Sequence, residues 1–592
     1  VRACTDSEPM SMGPERSFGR GGARCRGAAR RPRRICSAGR RLWAAALALV
    51  ACSSGSNVRR FADAPPVWRI DDRRPFSPRP EEFYSPFIWD GANYSTFRPL
   101  ARVWTFPQPM PAQNVNSMDE VPNSSWFTNR LSVRNMTPRE LARGACPHTD
   151  DAAKVPWVVV AGKPDGANPG FQVVDARGIR ALVKVDGVTQ PERATAADAL
   201  GAVMFHAAGY WAPCNRVTFI RKEHLKLEEG AEIKRTNGTV EPLTREAIDT
   251  IMSKATEVEP GLFRVSISEF ISGRPIGPWR YEGVRKDDPN DVIPHQHRRE
   301  LRGMRLLAAW TDHIDTRQEN TMLAWISTGK NGEGFTRHYR IDFGDMFGLI
   351  NGPPGVPERF GHVGYFSPGQ MMTDFLALGL IDRPWHDKRM GPAGPALGYW
   401  RAEPFDVDPW HPGYPNPAFD RATEADLAWM ARIIARFTPA HVDALVQRAH
   451  FRSKIVHAEV IRIMNHRRQR ILDRYLTRLS PLTWPQVRGR KLCLQDLAVW
   501  TGIRDETSRR YQAVAHVEGV GRSEALDVRA GSDARVCAEL PEVQPGRYAV
   551  VVFRATSGED GTFPLWAHFT GHRDGWRLVG LERPEHAEAP AL

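Results

Sequence analysis

Two periods of hydrophobic alternation run along this chain, and the places where they change divide it. From residue 156 the pattern is short and β-like. PWVVVAGKP reads as a strand ending in a turn, and FQVVDARGIRALVKVD (171–186) reads as a hairpin whose β-branched runs meet at Asp175–Gly178. TAADALGAVMFHAAGY (195–210) then places apolar residues at helical spacing. RVTFI (216–220) and RVSISEFIS (264–272) read as further strands. Beyond 295 the helical period dominates. HRRELRGMRLLAAWTDH (297–313) predicts an amphipathic helix, and 424–479 predict a helical end. Between them, TMLAWISTGKNGEGFTRHYRIDFG (321–344) predicts a hairpin, and 351–420 form a long Pro/Gly-rich stretch. From about 486 the runs AVAHVE, ALDVRA, RYAVVVFRA and PLWAHFT alternate over short distances and predict a small all-β, sandwich-like module.

The first 150 residues follow neither period. Residues 53–110 are rich in Pro, Arg and aromatics and predict a tether leading into an irregular arm. Upstream, RRPRRICSAGRR precedes LWAAALALVA (42–51), which is too short to span a bilayer and has the dimensions of a signal-peptide core. It ends in LVAC, which resembles a bacterial lipobox with Cys52 as the lipidated residue and Ser53 as a signal for outer-membrane sorting. That implies an envelope protein held to a lipid bilayer through an N-terminal lipid anchor. The predicted layout is signal peptide 1–52, tether and arm 53–150, a β-rich unit 151–275, a helical unit 276–485 and a β module 486–592.

Composition narrows the function classes. The 592 residues are 41% hydrophobic and 25% charged, as in ordinary soluble proteins. The net charge of +13 suggests nucleic acid until its distribution is examined. Eleven arginines against three acids give +8 before Cys52, leaving +5 for the rest. With no basic stripe interleaved with aromatics, no nucleic-acid partner is expected. Of eight cysteines, Cys146, Cys214, Cys493 and Cys537 belong to the mature body. Three pairings are open, of which Cys146–Cys214 with Cys493–Cys537 is the most local. No CxxC pair supports structural zinc. PHQH (294–297) offers His295 and His297 to a metal, and reads more simply as a solvated helix start.

One constellation carries chemistry. Phosphoryl transfer needs a cation for the phosphates, an acid holding that cation, a carboxylate for the acceptor's proton, and oxygen ligands for a hard metal ion. Lys184 ends the second strand of a hairpin, and Asp198 lies on the next helix. Asp315 and Asn320 stand five residues apart in HIDTRQEN (313–320), and Asp342 opens DFG. These motifs resemble the protein-kinase superfamily, with His313, Asp315 and Asn320 matching the catalytic loop and Asp342–Gly344 the metal-binding motif. Ile314 stands where arginine is usual, which argues against control by activation-loop phosphorylation.

The resemblance covers about 156–480 and is nearest the atypical branch: the HipA-like, lipid-kinase-like and secretory Fam20-like kinases. GKPDGANPG (162–170) replaces the usual Gly-rich loop, leaving Gly166 and Gly170 as candidates. No APE segment follows DFG. The mature body, including DEVPNSSWFTNR (119–130), also resembles a group of uncharacterised bacterial envelope proteins.

The fold implied is α+β: a two-lobed kinase-like body, small β-rich lobe plus larger helical lobe, followed by the C-terminal β module. Lys184 and Asp198 would grip ATP, and Asp315 would orient the hydroxyl of an unknown acceptor. Asn320 and Asp342 would hold Mg²⁺ or Mn²⁺. Glu269 and Phe270, in SISEFISG (266–273), would offer backbone groups to adenine. Glu192 is a second candidate partner for Lys184, and Asp345 reads as structural. Trp566 and Trp576 of the β module are alternatively ligand contacts or core. The competing functions are a catalytically silent binding scaffold and nucleotidyl transfer in the same cleft.

Overall fold

A computed structural model describes residues 58–592 apart from 86, 102–109, 148–151, 164–168, 236–238, 330–331, 589 and 591–592. The signal-peptide and lipobox readings, with Cys52, lie outside the described residues, and so does Gly166. Among the described residues no helix is long and apolar enough to cross a membrane. The chain is a mixed α+β protein with several sheets.

The β-period region builds the first sheet from β1 (Trp157–Gly162), β2 (Gly170–Val174), β3 (Arg180–Lys184), β4 (Asn215–Arg221), β5 (Leu225–Lys234), β6 (Val240–Pro242), β7 (Thr256–Glu259) and β8 (Leu262–Glu269). The order is β4-β8-β3-β2-β1-β5-β6, with β7 also on β8. Alternate residues such as Val159, Val173, Val183 and Val265 point inward, where Ile248 and Met252 of the short helix Arg245–Met252 join them in one apolar cluster. The Ala-rich helix Arg193–Ala208 is buried nearly all round, because its small side chains admit close neighbours on every side.

A second sheet, ordered β11-β10-β9, comprises β9 (Arg274–Gly277), β10 (Thr321–Ser327) and β11 (Gly334–Arg340). The helices Arg299–Thr311, Glu424–Ala435, Pro439–Gln447 and Lys454–Tyr475 enclose the largest core, with Trp310, Trp400 and Trp429 fully buried. The Pro/Gly-rich stretch 351–420 is mostly turns, as expected, and its single α-helix, Pro368–Leu376, buries none of its side chains.

The C-terminal strands start at 482, four residues before the predicted boundary. They are β12 (Leu482–Arg488), β13 (Lys491–Asp496), β14 (Arg509–Val517), β15 (Glu524–Leu526), β16 (Val528–Ala530), β17 (Arg535–Glu539), β18 (Tyr548–Ser557), β19 (Asp560–Gly561), β20 (Leu565–His572) and β21 (Gly575–Glu582). One sheet runs β12-β13-β17-β16 and the other β15-β14-β18-β20-β21, with β19 on β18. Both contribute to one apolar cluster, through Leu492 and Val536 from the first and Val551 and Phe569 from the second. ALDVRA is not one strand: it crosses between the sheets at Asp527. A helical turn, Leu497–Trp500, interrupts the β pattern. Trp566 and Trp576 are 3% and 5% exposed, so they are core residues rather than ligand contacts.

Two expectations need correction. The segment 58–85 is irregular but not a loose tether. Asp72 accepts hydrogen bonds from Ser125, and Phe76 bridges to Gly334. Phe61 packs where Gly580 leaves no room for a Cβ. His295 is buried, bonded to Asp291 and to the Arg280 carbonyl, so PHQH is not a solvated helix start. Of the three pairings open to the cysteines, the most local one forms: Cys146–Cys214 and Cys493–Cys537.

Candidate functional site

Lys184 ends β3, which pairs antiparallel with β2. Gly170 sits directly across from Lys184, and a Cβ there would lie 2.1 Å from the Val183 carbonyl oxygen. Gly170 therefore has a packing role at this site. Lys184 Nζ lies 3.0 Å from Asp198 Oδ1 and 3.0 Å from Asp342 Oδ1, with its side chain 7% exposed. Burial would lower the ammonium's pKa, but the two carboxylates hold it above the ordinary lysine range.

Asp198 is oriented from both ends. Ser266 Oγ donates to its Oδ2, and Asn215 donates to its carbonyl. The helix carrying it is gripped at its start by Asp186, two residues after Lys184, which accepts from the backbone and hydroxyl of Thr195. Strand end and helix start are thus tied together, which fixes the distance between Lys184 and Asp198. Glu192 does not compete for Lys184: its carboxylate is bound to Arg452 at 2.7 Å.

The loop 313–320 follows the helix Arg299–Thr311, which ends as Asp312 enters the left-handed region at φ 55°. Asp345 organises the loop, accepting from the Asp315 backbone at 2.8 Å and bonding His313 Nδ1 at 2.8 Å. Arg340 can only donate to His313 Nε2, so the imidazole proton sits on Nδ1 and is donated to Asp345. Asn320 Nδ2 donates to the Asp315 carbonyl at 2.7 Å, closing the loop on itself. Ile314 is buried in the core, which explains an apolar residue where an arginine is usual. Asp345 is structural, as expected.

Asp315 Oδ1 is buried without a hydrogen-bond partner, although Arg317 Nε lies 3.0 Å away. Burial pushes the Asp315 carboxyl up to about 6, with Asp345 and Asp342 adding to the rise and Arg317 opposing it. Asp342 takes the left-handed conformation at φ 53° and keeps its side chain 39% exposed. Burial would raise it, but Lys184 and Lys163 hold it well below the usual carboxylate range. Phe343 anchors the motif beneath the Arg193–Ala208 helix, against Phe205 at 5.1 Å.

These contacts bring Lys184, Asp198 and Asp342 together and place Asp315 and Asn320 beside them on one closed loop. The backbone N–H groups of Glu269 and Phe270 are not available to adenine. They already bond the carbonyls of Cys214 and Arg180, because β8 pairs on both edges to its end. The Glu269 carboxylate pairs with Arg216, and Arg180 stacks over the Phe270 ring.

Sequence reasoning missed three groups. Lys163, beyond β1, interacts electrostatically with Asp342, Lys184 and Asp198. Its only signal was its place in the Gly-rich turn. Arg317 stands inside HIDTRQEN, and its proximity to Asp315 was available from spacing. Glu319 is pushed up to about 8 by burial and by Asp90, which arrives from the distant helix Phe87–Ala92. Nothing local signals that contact.

Among the described residues no three His, Cys, Asp or Glu side chains converge as a metal cluster. The donor set nevertheless suits a hard ion of the Mg²⁺ type. Such an ion keeps water and phosphate oxygens in its shell and takes only one or two protein ligands, a role the oxygens of Asp342 and Asn320 could fill. A cavity of about 840 Å³ lies elsewhere, between residues 76–83 and 278–289.

No protein-family model and no curated protein matches the chain. Among solved structures, a crystal structure of the Golgi casein kinase aligns at 10% identity and TM-score 0.27, covering 55% of this chain and 75% of that one. The same kinase with Mn/ADP bound aligns at 12% identity and TM-score 0.22, covering 49% and 74%. Overlap this weak carries no argument about chemistry, which rests on the geometry of Lys184, Asp198, Asp315 and Asp342.

Proposed function

We propose that the chain is an atypical kinase, with residues 151–275 as the small lobe and 276–485 as the large one. It moves the γ-phosphate of ATP to a hydroxyl of an acceptor. The observation that carries this reading is the buried Lys184 ammonium shared between a helix carboxylate and the DFG carboxylate. Lys184, fixed by Asp198, grips the phosphates, with Lys163 as a second cation. Asp342 and Asn320 would hold the divalent ion, which when bound would neutralise charge on the phosphates. Asp315 accepts the acceptor's proton as the bond from γ-phosphorus to the β-bridging oxygen breaks, leaving ADP. A base with a pKa near 6 is ionised at neutral pH yet still basic enough for this role. The two disulfides support an oxidising, extracytosolic setting and hence the envelope anchor at Cys52.

The test is transfer of label from γ-labelled ATP with Mn²⁺ or Mg²⁺, using protein beginning after Cys52, beside Asp342→Ala. Label on protein or envelope extract that disappears in the variant is expected. Absence of label from both sinks phosphotransfer and leaves a silent nucleotide-binding scaffold or nucleotidyl transfer.

A further inference from the structure

A cleft of about 650 Å³ lies far from Lys184 in sequence and is built from three separate parts of the chain. Trp68 comes from the N-terminal arm, Asn135 from the segment before the Pro138–Arg143 helix, and Trp484, Gln486, Gln495 and Trp500 from the C-terminal strands. Its size is that of a small-ligand site, roughly 300–1,000 Å³.

The arrangement joins aromatic faces to unspent polar groups. Trp68 and Trp500 are 43% and 41% exposed, although large aromatics usually bury. The arm does not hold Trp68 loosely: its carbonyl accepts from the Asn123 N–H at 2.9 Å. Trp484 meets Trp500 edge-on at 5.9 Å, and Arg436 stacks on Trp484 at 4.2 Å. The indole N–H groups of the three tryptophans and the amide of Gln486 make no hydrogen bond to the described residues.

Backbone geometry adds an independent observation. Trp484 lies in the left-handed region at φ 50°, a costly conformation for a bulky side chain, and the β12–β13 register shifts between Thr483 and Gln486. Bulges of this kind re-aim side chains and concentrate beside binding sites. Here the bulge swings Trp484 and Gln486 to the cleft, and the Cys493–Cys537 disulfide braces the strand opposite.

We propose that this cleft binds a short oligosaccharide. A pyranose ring presents a flat C–H face that stacks on an indole and a rim of hydroxyls that pair with amides, guanidinium groups and indole N–H donors. Bare apolar peptide side chains would leave these donors unpaired. Of the cleft's charged groups, Glu120 and Arg436 are already bound within the protein, and Arg535 lies 3.7 Å from Asp533 at the exposed rim, so the ligand is an uncharged or weakly charged glycan. The site is independent of phosphotransfer.

The test titrates cellotetraose, chitotetraose and maltotetraose into the full chain, with heat and intrinsic tryptophan fluorescence as readouts and a Pro-rich decapeptide as comparison. At least one sugar is expected to bind and to shift the fluorescence. Trp68→Ala and Trp500→Ala should each weaken binding about tenfold or more, and Gln486→Ala several-fold, with thermal unfolding unchanged because all three side chains are solvent-facing. No binding of any of the three sugars to millimolar concentration overturns the proposal. So does binding undiminished in both tryptophan variants, or binding of the peptide alone.

Discussion

A carboxylate whose desolvation is only partly offset by a cation costs stability unless it is needed. Asp315 is such a group: its buried Oδ1 faces Arg317 at 3.0 Å without a well-formed hydrogen bond, and burial pushes its pKa from 3.8 up to about 6. The folded state binds this proton more tightly than the unfolded chain does. The fold therefore loses stability as pH climbs from about 4 through about 6, and the loss persists at neutral pH. This rise corresponds to about 3 kcal/mol at most, at roughly 1.4 kcal/mol per pKa unit. Asp315→Asn should raise the midpoint of thermal unfolding at pH 7.5 while abolishing transfer, and the gain should vanish at about pH 4. Wild-type kcat/KM should rise with pH and level off above about 6. An Asp315→Asn protein that is no more stable at pH 7.5, or a flat pH–rate profile, would contradict this account. Asp315, Asn320 and Asp342 were legible because their spacing is local. Lys163 was not, because only the folded sheet brings the residue after β1 against β3.

At the scale of elements, position depends on whether one side chain admits another. Gly201 faces Phe343 across the Arg193–Ala208 helix, and a Cβ there would lie 2.5 Å from the Phe343 Cβ. The missing methyl lets the helix bearing Asp198 approach the motif bearing Asp342, which sets the separation Lys184 bridges. Gly201→Ala should cost about 1–3 kcal/mol by overpacking, even though alanine suits a helix better than glycine. Transfer should fall further than this loss explains, because Asp342 moves relative to Lys184. Urea titration and label transfer on the same preparations separate the two effects, and unchanged activity would show that the contact does not position Asp342. Periodicity revealed the hairpins and long helices for the same reason it failed on ALDVRA. Alternation registers which face a side chain takes, and both halves of that run alternate. It does not register that the chain changes sheets at Asp527.

At the scale of the whole molecule, the arm read as irregular proves to be the piece on which distant parts converge. Asp119 takes the left-handed conformation at φ 59° and accepts from Arg299, Arg432 and Arg583, at 2.5, 3.2 and 2.5 Å. Arg299 begins the Arg299–Thr311 helix, Arg432 lies on the Glu424–Ala435 helix, and Arg583 follows β21. No sequence pattern announces this contact, since the four residues span 464 positions and, though Asp119 opens DEVPNSSWFTNR, nothing in that stretch points to the three arginines. Burial would raise the Asp119 carboxyl, but the three guanidinium groups hold it well below the usual range. Its contribution is therefore complete above the unfolded value of 3.8 and is lost as pH falls towards the depressed folded value. Asp119→Asn keeps the shape and removes the charge, leaving three buried cations short of a partner. It should destabilise the fold by about 3–5 kcal/mol at pH 7. The gap from wild type should stay constant down to about pH 4 and narrow below it. Because the hub joins the helical body to the C-terminal strands, the variant should unfold in two resolved steps where wild type unfolds in one. A single step at unchanged denaturant midpoint would show that the apolar clusters alone hold these parts together.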